Sequence, residues 1–217
     1  MDMAKRIGVK IFGIRGKLGS AIAQEISTNA LHFYIEEDAP KAQIVVDAAS
    51  RESLEEVLNL ALTYSIPLLI AATGHDKMQK QKIEEASKQI AILHSPNFSR
   101  AHYYFAQACV KLSALLRKEA EIELIELHHK QKKDAPSGSA LKIASLIDPP
   151  VNIHSLRGSD IVGEHQLRIF CAGEEIEITH RAFSRKPFAR GIVQALDFIH
   201  NKKPGLYTME EWIHATA

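Results

Sequence analysis

The densest run of reactive side chains in the chain is His128-His129-Lys130-Gln131-Lys132-Lys133-Asp134-Ala135-Pro136-Ser137-Gly138-Ser139. Two histidines end a predicted strand, three lysines crowd the loop, and Pro136 leads into a predicted helix whose first turn holds Ser137, Gly138 and Ser139. Hydroxyls, a residue without a side chain and free backbone N–H groups at a helix start bind a carboxylate well. The lysines add positive charge, and a histidine moves protons near neutral pH. Such a set suits a small dicarboxylate. The same residues also describe a solvated basic loop followed by an ordinary serine cap, so this run alone leaves both readings open.

A second set lies near the start. Gly13-Ile14-Arg15-Gly16-Lys17-Leu18-Gly19 follows a predicted strand and opens a predicted helix. Glycines there permit a tight turn and let the backbone approach a pyrophosphate at the helix N-terminus. The spacing is GxxGxxG, not the commoner GxGxxG, and a glycine-rich turn after a strand is often only a turn. Context adds weight: Glu36 ends the second predicted strand, 17 residues after Gly19, near where an acid holds a ribose hydroxyl. Against this, Glu36, Glu37 and Asp38 read equally as a solvated acidic loop.

The elements that must carry these residues follow from the apolar pattern. Short apolar runs at Ile7 to Phe12, Leu31 to Ile35, Ile44 to Val46, Pro67 to Ile70 and Ile90 to Leu93 alternate with helical segments. Among these, Ser53-Leu54-Glu55-Glu56 fits a capping box, and Asp76 can cap a helix to Lys88. Alternation of this kind predicts an α/β unit with a parallel sheet covered on both faces. After Ser99 the pattern changes to a long helix from Arg100 to Glu119, a strand at Ile122 to Leu127, the basic loop and a helix. Three strands then follow near Val151 to Leu156, Gln166 to Cys171 and Glu175 to Arg181, with a turn at Ala172-Gly173. These predict a second α+β unit with a mixed, open sheet. The tail from Gly191 to His200 is helical again, and Thr208-Met209-Glu210-Glu211 opens a last short helix. The division is therefore 1–99, 100–190 and 191–217.

Composition removes several function classes. A formal charge of +1 and a pI near 7.8 argue against a nucleic-acid partner. Cys109 and Cys171 are far apart and form no CxxC, which fits a reduced, cytoplasmic protein. The apolar run within Met1 to Lys10 and beyond is interrupted by Gly8, Gly13 and Gly16, too soon for a signal peptide. No stretch reaches the length of a membrane span. His128, His129, His165 and His180 are the candidate ligands for a zinc site. There is no HExxH, and neighbours in a strand face opposite ways, so no metal is expected.

Glu126 to Ala140 resembles the signature E-x-H-H-x-x-K-x-D-A-P-S-G-T-A of the dihydrodipicolinate reductase family. Further segments follow that family's order. Gly13 to Gly19 resembles its nucleotide loop and Ala71 to Gly74 its G-T-T-G turn. Ser95-Pro96-Asn97-Phe98-Ser99 resembles its S-P-N-F-S, Gly158 to His165 its G-x-x-V-G-E-H, and Ile178 to Arg185 its I-T-H-x-A-x-S-R. The resemblance implies a Rossmann-like nucleotide domain, a mixed domain that binds substrate and forms a homotetramer, and C-terminal helices returning to the first domain. It implies reduction of a cyclic dicarboxylate in the diaminopimelate route to lysine, with NADH or NADPH as donor. Carried over by position, His128 is the acid/base and Lys132 the proton donor, while His129, Ser137, Gly138 and Ser139 bind substrate. Gly13, Ile14, Arg15, Gly16, Lys17, Leu18, Glu36, Ala71, Ala72, Thr73, Ser95, Pro96, Asn97 and Phe98 contact the cofactor. Because Glu36 is followed by Glu37 and Asp38, NADH is expected to be preferred, with NADPH also accepted.

The chain departs from the pattern in places. Ala71-Ala72 replaces Gly-Thr, Ser139 replaces Thr, and Arg100-Ala101-His102 stands where a small apolar stretch is usual. The segments after the second strand and after the Ser-Gly-Ser helix are short. Two rival readings follow. One is a non-catalytic nucleotide-binding sensor, which would not need His128 and Lys132. The other is a different two-domain dehydrogenase acting on aspartate or a semialdehyde, the latter needing a catalytic cysteine.

Overall fold

The structure is a computed structural model, described for residues 6–29, 32–148 and 151–216. Met1 to Lys5, in the segment weighed above as a signal peptide, and Leu31, the expected start of the second strand, lie outside the described residues. The chain divides into two compact units, Met1–Phe98 with Arg185–Ala217, and Ser99–Ser184.

The first unit begins with β1 (Ile7–Phe12), α1 (Lys17–Asn29), β2 (Phe33–Ile35) and β3 (Ile44–Asp47). It continues through α2 (Leu54–Thr63), β4 (Leu68–Ile70), α3 (Lys77–Ser87) and β5 (Ala91–His94). The second unit supplies α4 (Arg100–Leu116), β6 (Glu121–His128), α5 (Gly138–Ala144), β7 (Asn152–Arg157), β8 (Gly163–Cys171) and β9 (Glu174–Ala182). The chain then rejoins the first unit as α6 (Lys186–His200), β10 (Gly205–Tyr207) and α7 (Met209–Ala215).

The first sheet has the order β10-β5-β4-β3-β1-β2 with every pairing parallel. Its central strands are apolar, save for Asp47 at the end of β3, because both faces are covered: β3 and β4 are buried at every position. Val45, Leu68, Ile70 and Ile92 pack with Leu54, Val57, Leu58 and Ala61 of α2. α1 packs against α6, and Arg190 reaches Glu25 at 3.5 Å. α1 starts earlier than its apolar spacing suggests, because Ser20 N–H already donates to Gly16 O at 2.9 Å. Asp76 and Gln79 form the capping box of α3. At α2 the expected box is not made: Ser53 makes no cap hydrogen bond to the helix, and its hydroxyl instead donates to Ser50 O at 2.7 Å and accepts from Ser50 N–H at 3.5 Å, a capping box with Ser50 around the single turn Arg51–Ser53 that precedes the helix. The edge strand β10 was not anticipated, since Gly-Leu-Tyr is too short to show a period; pairing with β5 creates it.

The second sheet has the order β7-β6-β8-β9, with β6–β7 parallel and the other pairs antiparallel. The β8–β9 hairpin turns at Gly173, whose φ is +83°. Alternation sends Leu124, Leu167 and Ile169 into a core with Cys109 of α4 and Ala140 and Ile143 of α5. Among the described residues no helix is long and apolar enough to cross a membrane.

Candidate active site

In the second unit, the register of the sheet places the polar residues in two adjacent rows on its helix-covered side. Ser155, Glu126, His165 and His180 pair across the four strands as one row. Two residues along, His128 pairs with Arg157, beside Gly163 of β8. Apolar Leu124 and Leu167 lie on the same side of their strands, so the polar set occupies one end of a face that is otherwise core.

Glu126 is completely buried and its carboxylate is saturated. Oε1 accepts from Ser137 N–H at 3.2 Å and from Arg157 Nη2 at 2.8 Å. Oε2 accepts from Arg157 Nη1 at 3.0 Å and meets His128 Nδ1. Burial alone would raise this carboxyl; the His128 ring and the Arg157 guanidinium outweigh it and hold it well below the usual carboxylate range. Arg157 also donates to Asp134 O at 2.6 Å, which fixes the loop after β6. That loop turns tightly, with Lys132 N–H donating to His129 O at 3.1 Å. Lys132 Nζ pairs with Asp134 Oδ1 at 2.8 Å. The sequence sets this lysine in a basic loop among cationic neighbours; in the structure its partner is the carboxylate two residues on.

Ser137 lies one position before the helix, where its hydroxyl accepts from Ala140 N–H at 3.3 Å and meets His165 Nε2 at 3.3 Å. α5 starts at Gly138, and Ser139 is buried in its first turn. His165 is edge-on to His128 (5.4 Å between ring centroids) and to His102 of α4 (4.8 Å). Burial, then the nearby His128, pushes His165 down to about 3, so this ring is neutral at working pH. His102 is held well below the usual imidazole range for the same first reason and is also edge-on to His180. Among the described residues no group of three His, Cys, Asp or Glu side chains could hold a metal ion.

The remaining expected residues belong to the first unit. Gly13 has a φ of +76°, accessible at little cost only to glycine, and its carbonyl accepts Gly16 N–H at 2.8 Å. A Cβ on Gly19 would stand 2.1 Å from Gly13 O, so the first turn of α1 closes directly onto the loop. Ile14 and Leu18 are half-buried, while Arg15, Gly16 and Lys17 are exposed beside them. A tight glycine loop of this kind at a helix N-terminus could hold an anionic group such as a pyrophosphate. Glu36 follows β2; its carboxylate accepts Asp38 N–H at 2.9 Å and Tyr34 O–H at 3.2 Å, which fixes it in place. Lys41 is paired with Asp38 at 3.0 Å. Ala71 and Ala72 follow β4 and send both N–H groups to Asp47 O, at 2.8 and 3.1 Å; Ala72 is buried, and Thr73 is half-buried after it. After β5, Ser95 Oγ donates to Asn97 O at 2.7 Å, closing a turn over Pro96, and Phe98 is core.

Sequence reasoning missed Arg157, His165 and Asp134 as parts of the site and gave Glu126 no role. Glu126 was legible, because residues two apart in a strand share a face with His128. Arg157 was not, since only the β6–β7 register brings it there. The cysteines fit no nucleophile: Cys109 is buried in α4 with its thiol pushed up to about 12 by burial, and Cys171 ends β8.

A family profile described as dihydrodipicolinate reductase, N-terminus, matches residues 32–98, and one described as dihydrodipicolinate reductase, C-terminus, matches residues 103–213. A 4-hydroxy-tetrahydrodipicolinate reductase from Clostridium novyi is 31% identical, with 94% of this chain and 97% of that protein covered. One from Thermosipho africanus is 35% identical, covering 94% and 96%. The fold is similar to that of a dipicolinate-bound dihydrodipicolinate reductase from Paenisporosarcina sp. TG-14, with a TM-score of 0.68 at 20% identity over 94% of this chain and 97% of that one.

Proposed function

The chain belongs to the dihydrodipicolinate reductase family, and on that premise we propose how its residues carry out the reaction. It is a pyridine-nucleotide-dependent oxidoreductase, a 4-hydroxy-tetrahydrodipicolinate reductase that forms tetrahydrodipicolinate for lysine and diaminopimelate synthesis. The observation that carries the reading is the intact polar set on β6 and its loop: His128, Lys132 and the Ser137-Gly138-Ser139 turn held by one buried carboxylate.

When bound, the reduced nicotinamide supplies the hydride. The chain's residues do the rest. The α5 N-terminus presents Gly138 and Ser139 to a substrate carboxylate, with His129 beside the loop and Ser137 ordering the turn. Lys132, oriented by Asp134, supplies the proton that balances the hydride on the reduced ring. His128 acts as acid/base. The Gly13–Gly19 cradle fits a pyrophosphate, with Ile14, Arg15, Gly16, Lys17 and Leu18 along it. Ala71, Ala72, Thr73 and the Ser95-Pro96-Asn97-Phe98 turn would contact the rest of the cofactor.

For the donor, we read NADH as preferred. Glu36 is pinned as a hydrogen-bond acceptor, Glu37 and Asp38 follow, and the nearest cation along the chain, Lys41, is engaged by Asp38. A ribose 2′-phosphate would meet negative charge there. The working assembly is a homotetramer in the cytoplasm; exposed Leu156 and Phe170, on the face of the second sheet opposite the site, support association. The test is kcat/KM with NADH and with NADPH at one ionic strength, using the product of dihydrodipicolinate synthase as substrate. Higher efficiency with NADH is expected. Equal or higher efficiency with NADPH would show that Glu36 does not hold the ribose, and no turnover with either would reject the reductase reading.

A further inference from the structure

We propose that Glu126 is the positioning residue of this site: through His128 Nδ1, Ser137 N–H and Arg157 it fixes the acid/base, the substrate-binding turn and the proton-donating loop at once. The inference rests on the reductase reading above and adds to it a residue to which the signature alone gives no task.

Lone-pair counting makes the case. An ionised carboxylate accepts at about four positions and donates at none. Glu126 has four donors: Ser137 N–H and Arg157 Nη2 on Oε1, His128 Nδ1 and Arg157 Nη1 on Oε2. With no donor of its own, it forces the hydrogen of the neutral His128 ring onto Nδ1. Nε2 is then the nitrogen that exchanges a proton with substrate. The other side of the ring agrees. Nε2 lies against Gly163, where a Cβ would stand only 3.1 Å away, so the backbone of β8 leaves that nitrogen room. The same carboxylate holds Ser137 N–H, one residue before the α5 N-terminus, and so sets where that anion-binding turn sits relative to His128. Arg157 extends the reach, because the guanidinium that clamps Glu126 also holds Asp134 O, and Asp134 holds Lys132. His128, the Ser137-Gly138-Ser139 turn and Lys132 are therefore each at most three contacts from one buried carboxylate. A merely structural ion pair has no need to select a tautomer.

Glu126→Gln tests this. The amide is the same size and still accepts from Arg157. Its NH2 group donates where Oε2 accepted, so His128 must accept at Nδ1 and carry its hydrogen on Nε2. We expect kcat to fall about 100-fold or more, as when a histidine base is held in the wrong tautomer, with substrate KM changed only a few-fold. In parallel, 15N NMR of the ring reads the tautomer directly. The wild-type His128 should show a protonated Nδ1 and an unprotonated Nε2 at a pH where it is neutral, and the variant should show the reverse. A kcat within threefold of wild type, or an unchanged tautomer in a folded variant, overturns the proposal. Should the variant not fold, the wild-type spectrum decides alone: an Nε2–H tautomer there refutes the assignment. Wild-type turnover tests the reductase reading separately, so the two can fail independently.

Discussion

Replacing Gly19 by alanine is the sharpest probe of the proposed nucleotide cradle. The new Cβ would fall 2.1 Å from Gly13 O, 2.6 Å from Gly13 C and 2.7 Å from Ile14 Cα. All three are backbone atoms, so no rotamer change relieves them. Since Cβ contacts under 3.0 Å do not occur, loop and helix must separate by roughly 0.9 Å. The first amides of α1 would then miss an anion seated on the loop. A hydrogen bond to a charged group contributes about 1.5–3 kcal/mol, and losing one or two in part costs about 2–4 kcal/mol. That weakens cofactor binding roughly 30-fold to several hundred-fold at 1.4 kcal/mol per decade. Helix propensity pulls the other way, since alanine in a helix is favoured over glycine by about 1 kcal/mol. Gly16→Ala is the matched comparison, because its Cβ meets only Gly13 O at 3.1 Å and should cost far less. The assay is NADH titration by fluorescence, with binding of a dicarboxylate analogue as the check on the rest of the fold. If Gly19→Ala binds NADH within twofold of wild type, the loop does not carry the pyrophosphate.

Three further outcomes follow. Lys132→Ala should lower kcat about 100-fold or more, the range of general acid catalysis, in steady-state assays; an unchanged kcat removes Lys132 from proton transfer. Gly138→Val should raise substrate KM strongly and weaken pyridine-2,6-dicarboxylate binding, because a branched side chain shields the N–H groups of α5; equal affinity by calorimetry would reduce the turn to a cap. Asp47 gives a pH signature in stability. Burial raises its carboxyl from 3.8 to about 6, and Oδ2 has no partner. The folded state therefore binds this proton more tightly than the unfolded one. Its ionisation opposes folding fully above about pH 6, and the penalty disappears as pH falls to 4. Asp47→Asn should accordingly gain up to about 3 kcal/mol relative to wild type at pH 7.5, at about 1.4 kcal/mol per pKa unit, and much less at pH 4.5. A Tm difference independent of pH would contradict this.

Much of this was legible in the residues, for physical reasons that differ by region. Strands buried on both faces are largely apolar, so Ile44-Val45-Val46 and Leu68–Ile70 declare a parallel sheet without any pairing information. Asp76 and Thr208 announce their helices because capping is local chemistry. The loop from His128 to Ser139, proposed to act on the substrate, reads directly because its residues are consecutive. What stayed hidden is what register and packing create. Arg157 meets Glu126 only because β7 runs parallel to β6, 31 residues away in the chain. The ring contacts of His165, His102 and His180 come from three different elements. β10 has no signal of its own. Asp134 was read as one more loop residue, yet it is the partner that orients Lys132.

The central claim, hydride delivery to a cyclic dicarboxylate, is tested most directly by isotope transfer. The enzyme is supplied with the dihydrodipicolinate synthase product and NADH deuterated at both C4 positions, and the product is weighed by mass spectrometry. The account predicts tetrahydrodipicolinate carrying one deuterium per molecule, formed in step with NADH oxidation. Oxidation of NADH without deuterium in the product, or no substrate-dependent oxidation at all, would contradict it.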